Sequence, residues 1–208
     1  MQNAGKCIKR SVFFAATLCA ALSVTPELRA DPRTHDGFYF GATAGLGYLS
    51  TSADFAGSEL SMSGVTLPSS LLLGGSIVPG LVLGGGFLTD YAPSPSMSIN
   101  GEDVPSDRDV SLYLVGIGAF VDYYLDPHEG LHFQGLIGWG GLETSVEGDV
   151  GGSDPTGLVL ALGAGHDWWV ADEWSIGVMG RLAYAPLSLN DMSYTTIAPA
   201  VLASFTYH

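Results

Sequence analysis

Five histidines are where acid–base or metal chemistry would first be sought, because imidazole titrates near neutrality and ligates metals when neutral. They stand at His35, His128, His132, His166 and His208. No His-Glu-x-x-His spacing occurs among them, and no histidine lies near a serine of the acidic segments. The sequence therefore writes neither a metal-hydrolase helix nor the nucleophile–base pair of an acyl-transfer enzyme. The acids gather in three groups: Asp54 with Glu59; Glu102, Asp103, Asp107 and Asp109; and Glu147, Asp149 and Asp154. Carboxylates suit hard divalent cations, yet the run from Asn100 to Asp109 lacks the ligand spacing of a calcium loop. No cofactor, metal or catalytic residue is assigned. One polar set remains, Arg181 with Asp90, Asp122, Asp167 and Gln134, and its meaning depends on the elements that carry it.

Those elements are strands. Phe38, Phe40, Ala42, Ala44, Leu46 and Tyr48 alternate with Tyr39, Gly41, Thr43, Gly45 and Gly47, which puts an oily face on one side of a strand and small residues on the other. Segments of this kind are expected at about 37–50, 64–78, 81–92, 109–124, 130–143, 157–170, 173–186 and 193–207. Their links alternate. Val78-Pro79-Gly80-Leu81, Asp126-Pro127-His128-Glu129-Gly130 and Ala171-Asp172-Glu173 are short turns, whereas 51–63, 93–108, 144–156 and, more briefly, 187–192 are polar loops. Composition agrees: 13% of residues are charged and 29 are glycine, against about 25% charged in an average soluble domain. A β-sandwich would also alternate, but its outer face would carry Lys, Glu and Thr rather than Leu, Ile and Trp.

The N-terminus gives the route. Lys6, Lys9 and Arg10 precede an apolar run from Val12 to Leu22 and a small-residue region, the layout of a secretory signal peptide over residues 1–30. Cleavage after Ser23 or after Ala30 fits. Cys7 and Cys19 would leave with it, so no disulfide is expected in residues 31–208. That remainder carries three basic residues, Arg33, Arg108 and Arg181, against twenty acids, a formal charge of −17. Nucleic acid is excluded as a partner, because it requires basic patches.

The wall has a measurable height. Tyr113 and Tyr123 bound one alternating face, Trp174 and Tyr184 another, each pair ten residues apart. At about 3.3 Å per residue and a tilt of about 40°, ten residues climb roughly 25 Å, the apolar band of a barrel membrane protein. With Trp139, these rings are read as membrane-interface aromatics.

On this pattern residues 37–208 resemble the small eight-stranded outer-membrane barrels of the OmpA and OmpX type. The resemblance implies an all-β fold, an eight-stranded antiparallel up-and-down transmembrane β-barrel in the outer membrane of a Gram-negative bacterium. It also implies recognition by barrel insertion machinery through an aromatic-ended last strand. Ile197, Val201, Ala203, Phe205 and Tyr207 alternate as that strand requires, although His208 follows the last aromatic and Pro199 interrupts the run. An even strand count places both termini on the short-turn, periplasmic side and the long loops outside.

Inward positions are then rich in glycine, around a few large residues: Leu88, Leu112, Leu114, Phe120, Leu136 and Met179. Eight strands enclose just enough space for side chains to fill. Arg181 faces this lumen with Asp90, Asp122, Asp167 and Gln134, and the five are read as one structural polar network. The functional expectation is a monomeric, non-catalytic barrel that serves envelope structure or surface interaction through acidic loops. Its expected partners are outer-membrane lipid and lipopolysaccharide, bridged by divalent cations. The alternative is a narrow channel or binding site for a small hydrophobic molecule.

Overall fold

Alternation over a dozen or more positions closes into a barrel. The computed structural model describes residues 32–55, 58–104, 110–146, 154–190 and 192–208. The expected signal peptide lies outside these, as do Asp107, Arg108, Asp109, Glu147 and Asp149. The strands are β1 (Phe38–Phe55), β2 (Ser58–Val78), β3 (Leu81–Ala92), β4 (Ser96–Ile99), β5 (Glu102–Val104), β6 (Val110–Tyr124), β7 (Leu131–Val146), β8 (Thr156–Trp169), β9 (Trp174–Leu189) and β10 (Met192–Tyr207). All except β4 and β5 form an antiparallel ring in which β10 pairs back onto β1, so the wall has no free edge.

Several strands outrun their expected limits at the loop end. β1 reaches Phe55 and β2 starts at Ser58, where the polar composition of 51–63 suggests a loop. Hydroxyl residues serve in strands when they pair across the ladder, as Thr51 does with Thr196 at 2.9 Å and Ser61 with Ser98 at 2.7 Å. Within the stretch 93–108, β4 and β5 form a hairpin on the extended end of β2. Its turn is Asn100-Gly101, with φ of 52° and 81°, the paired left-handed conformation that Asn-Gly favours in two-residue hairpins.

Register fixes the geometry of the wall. The line of paired residues through Phe40, Leu73, Gly85, Ala119, Ile137, Leu160, Tyr184 and Ile197 returns to β1 at Ser50, ten residues from its start. For eight strands a stagger of ten tilts each strand by roughly 40°. The stagger also levels aromatics that sit in different pairs. From Ile137 to Tyr184 the line crosses two strands and climbs between two and three residues. Trp139, two residues above Ile137, is thus level with Tyr184.

Outward side chains form an apolar wall, with Leu162 71%, Val201 68% and Ile117 67% exposed. A continuous apolar wall of this size is covered by lipid in a stable protein. Inward side chains fill the lumen, and glycine makes room for them: a Cβ on Gly84 would lie 2.7 Å from the Phe120 ring. Towards the loop end Leu49, Leu112, Leu114, Leu142, Val159 and Leu187 pack into one buried layer.

Prolines remove rungs without shifting register. Pro199 has no amide, and the β1–β10 ladder passes from Gly47–Ala200 to Ser50–Ile197. Pro68 does the same between β1 and β2, where Ala44–Ser69 is followed by Gly47–Thr66. β1 is thus interrupted on both flanks within residues 45–49.

Candidate functional site

The five residues grouped as one lumen network fall in two places. Arg181 on β9 and Asp90 on β3 meet in mid-lumen, where Arg181 Nη2 donates to both carboxylate oxygens at 2.6 and 2.7 Å. Both side chains are buried. Nε and Nη1 of Arg181 have no hydrogen-bond partner among the described residues. Ser70, Leu88, Gln134, Leu136 and Arg181 border a cavity of about 10 Å³, the volume of about one water-sized sphere. Among the described residues mid-lumen is filled by buried side chains.

Asp122, Gln134 and Asp167 instead belong to a buried cluster at the turn end. Period-two alternation on β6 puts Asp122 and Tyr124 on one face, and the pairs Asp122–Gln134 and Tyr124–His132 bring β7 alongside. His132 Nδ1 lies 2.7 Å from Asp122 Oδ1. Asp122 Oδ2 accepts from Gln134 Nε2 at 2.9 Å and from the Tyr39 hydroxyl at 3.2 Å. Asp167 accepts from Ser204 at 2.6 Å and from the Tyr124 hydroxyl at 3.0 Å. His132 Nε2 is 4.0 Å from Asp167 Oδ1, so the ring stands between two carboxylates.

Two more histidines cap this cluster. Trp169, His35, Tyr124 and His132 stack in sequence, with centroid distances of 4.5, 3.4 and 4.9 Å. His35 Nε2 lies 3.1 Å from the Glu129 carbonyl, which can only accept, so this nitrogen carries the proton. His35 Nδ1 and His208 Nε2 lie 2.9 Å apart, and with both rings neutral the bond runs from His208 Nε2–H to His35 Nδ1. Burial favours that neutral form. Burial, reinforced by the adjacent His208, pushes His35 down to about 2. Burial, with His132 nearby, pushes His208 down to about 3.

The segment carrying His35 crosses beneath the barrel and ties its turns together. Arg33 N–H donates to Asp172 O, His35 N–H to Pro127 O, and Gly80 N–H to His35 O, at 2.7, 2.8 and 2.7 Å. All three short turns are thus fastened to one strap.

None of the five histidines has the spacing of a catalytic or metal-ligand residue in the sequence. His128 does sit on an exposed turn, its Nδ1 3.2 Å from Thr34 Oγ1. His166 lies on the outer wall against Trp168. The other three are buried: His132 between Asp122 and Asp167, His35 and His208 against each other and Tyr124. The signal was present for two of them: His132 shares a face with Gln134, and His208 extends the inward series Ser204, Thr206. His35 precedes β1, where no periodicity applies. Chemically the cluster pairs a histidine with carboxylates, and Asp122, His132 and Asp167 are at most 2% exposed. Among the described residues no group of three His, Cys, Asp or Glu is disposed to hold a metal ion.

No family model matches the chain, and no curated protein matches it. Its likeness lies with solved structures. Neisserial surface protein A superposes with a TM-score of 0.53 at 18% identity, over 82% of this chain and 96% of that one. The outer membrane protein OprG from Pseudomonas aeruginosa gives 0.53 at 10% identity, over 86% and 100%. The closed antiparallel ring thus coincides with known architecture, and the chain has the fold of the small eight-stranded outer-membrane β-barrels.

Proposed function

We propose that this protein is a non-catalytic barrel of the Gram-negative outer membrane. It serves envelope structure and surface contact, with its loop end outside and its turn end and termini in the periplasm. The supporting observation is the lumen, closed by the Arg181–Asp90 pair, the histidine–carboxylate cluster and the apolar layer around Leu112. A barrel so filled acts through its surfaces. Its acidic rim suits divalent cations, and through them lipopolysaccharide phosphates. Outward aromatics form two levels: Tyr123, Phe133 and Trp174 below, Tyr113, Trp139 and Tyr184 above. They anchor the wall at the two interfaces. The test is single-channel recording on refolded protein in planar bilayers, where conductance stays at baseline. Long-lived open steps would refute the closed-barrel reading.

One observation favours a second reading, binding of a small apolar molecule. A cavity of about 320 Å³ opens at the loop end, lined by Ala53, Ser58, Leu60, Ile99, Met192 and Tyr194. This is within the size range of small-molecule sites.

A further inference from the structure

The loop-end cavity is blind, apolar and negatively framed. Its floor is the sealed layer: on β1, Leu49 lies two inward positions below Ala53, in contact with the leucines that close the lumen. Its side wall is built by register. Leu60 pairs with Ile99, and Ile99 pairs with Glu102. Directly paired residues point to the same face of a sheet, with Cβ atoms about 5 Å apart. Glu102 therefore extends the face that Leu60 and Ile99 present to the cavity, adding one carboxylate to the end of an apolar strip. Met62, Met97 and Val104 form the parallel pair line beside it, and the flexible thioethers adapt to a ligand's shape. Tyr194, partly buried against the core, pairs with Ala53 and so bounds the strip at the end away from Glu102.

Charge selects the ligand. Among the described residues the loop end carries Glu59, Glu102, Asp103, Glu143 and Asp154 and no Lys, Arg or His. The described arginines and histidines lie in the turn half of the barrel or in mid-lumen. The field at the mouth therefore attracts cations, while the cavity itself rewards burial of an aliphatic chain. We propose that this cavity binds a small amphiphilic cation, an alkylammonium. Its chain lies along Leu60 and Ile99 towards Met192 and the Tyr194 ring, and its charged head rests at Glu102. The proposal rests on the reading that the cavity takes small apolar molecules, and adds charge as the selecting property. Because the floor is sealed, the ligand is held and not conducted.

The experiment titrates the full chain, refolded in zwitterionic nanodiscs, with hexylammonium, hexanol and hexanoate, read by saturation-transfer NMR. Non-saturable lipid uptake is subtracted with empty nanodiscs. Hexylammonium should saturate at one site, about three- to tenfold tighter than hexanol and weaker in high salt, with hexanoate weakest. Glu102→Gln should weaken hexylammonium towards the hexanol value and leave hexanol unchanged. Ile99→Asn should abolish saturation for both. The altered side chains lie beyond the lipid-facing wall, and an unchanged heat-dependent shift in gel mobility confirms a folded barrel. Equal affinity for hexanol and hexylammonium, indifferent to Glu102→Gln, would overturn the cation proposal while leaving apolar binding standing. No saturation by any probe would overturn both.

Discussion

Arg181 is the most exposed to consequence of any single side chain, because its whole charge is met by one carboxylate. Its Nη2 bonds both oxygens of Asp90, while Nε and Nη1 find no partner among the described residues. Removing one member of a buried ion pair leaves the other charged and dry, at a typical cost of about 3–5 kcal/mol. Arg181→Ala should therefore lower the urea midpoint of the refolded barrel substantially, with conductance still at baseline. The double change Arg181→Met with Asp90→Leu should recover most of the loss, since a well-packed apolar pair replaces the ionic one. A single variant with an unchanged midpoint would mean the guanidinium is solvated. The turn-end histidines behave differently. His35 and His208 are held neutral down to about 2 and 3, while in the unfolded chain they take up protons near 6.5. The unfolded state then binds more protons, so stability is full above pH 6.5 and falls as the pH drops towards 3. The slope is about 1.4 kcal/mol per pH unit per histidine. Urea midpoints measured from pH 7 to pH 4 should show this decline, and it should flatten in a His35→Phe, His208→Phe variant. Parallel slopes would place both rings in water.

Strand faces were legible because alternation is a property of the chain alone. β9 reads Val178 out and Met179 in, and their exposures are 51% and 2%. A charge at the lipid-facing midplane of a barrel costs about 2–4 kcal/mol, so Val178→Arg should be poorly tolerated and should recover in thinner bilayers. Met179→Arg should suffer from crowding and from Arg181, with no dependence on thickness. Refolding yields in bilayers of two acyl lengths decide between them, and the reverse pattern would exchange inside and outside. Strand ends were less legible. Ser and Thr at 51–63 suit loops and strand extensions alike, and only cross-strand hydroxyl pairs, unreadable along one chain, distinguish the two. The β4–β5 hairpin could have been found, because Asn100-Gly101 is a strong turn signal, but the acids around it read as a loop. The division of the polar residues into a mid-lumen pair and a turn-end cluster depends on the ten-residue stagger, which only closure of the ring defines.

At the scale of the whole molecule the two ends differ in kind. The turn end is strapped, ring-stacked and closed; the loop end bears a hairpin, a cavity and acids. Small tags inserted beside His128 and beside Asp103 report which end faces out. In intact cells the tag at Asp103 should be labelled and that at His128 protected, and the opposite result would invert the proposed orientation. The interrupted flanks of β1 carry a further consequence, for the order in which the barrel assembles. Most neighbouring strands meet through turns of a few residues, but β1 and β10 join Phe40 to Tyr207. By loop-closure entropy that contact costs roughly 3–4 kcal/mol more than a hairpin. The same seam lacks the rung at Pro199, which removes part of what offsets that cost. Hairpin-by-hairpin growth from β2 to β10 is thus the cheap part of folding, and docking β1 against β10 is the slow final step. During that interval the protein is an open, curled ribbon with two bare edges. Of the two prolines beside β1, Pro199 lies on the edge that must close, and its missing rung weakens the pairing that ends that interval.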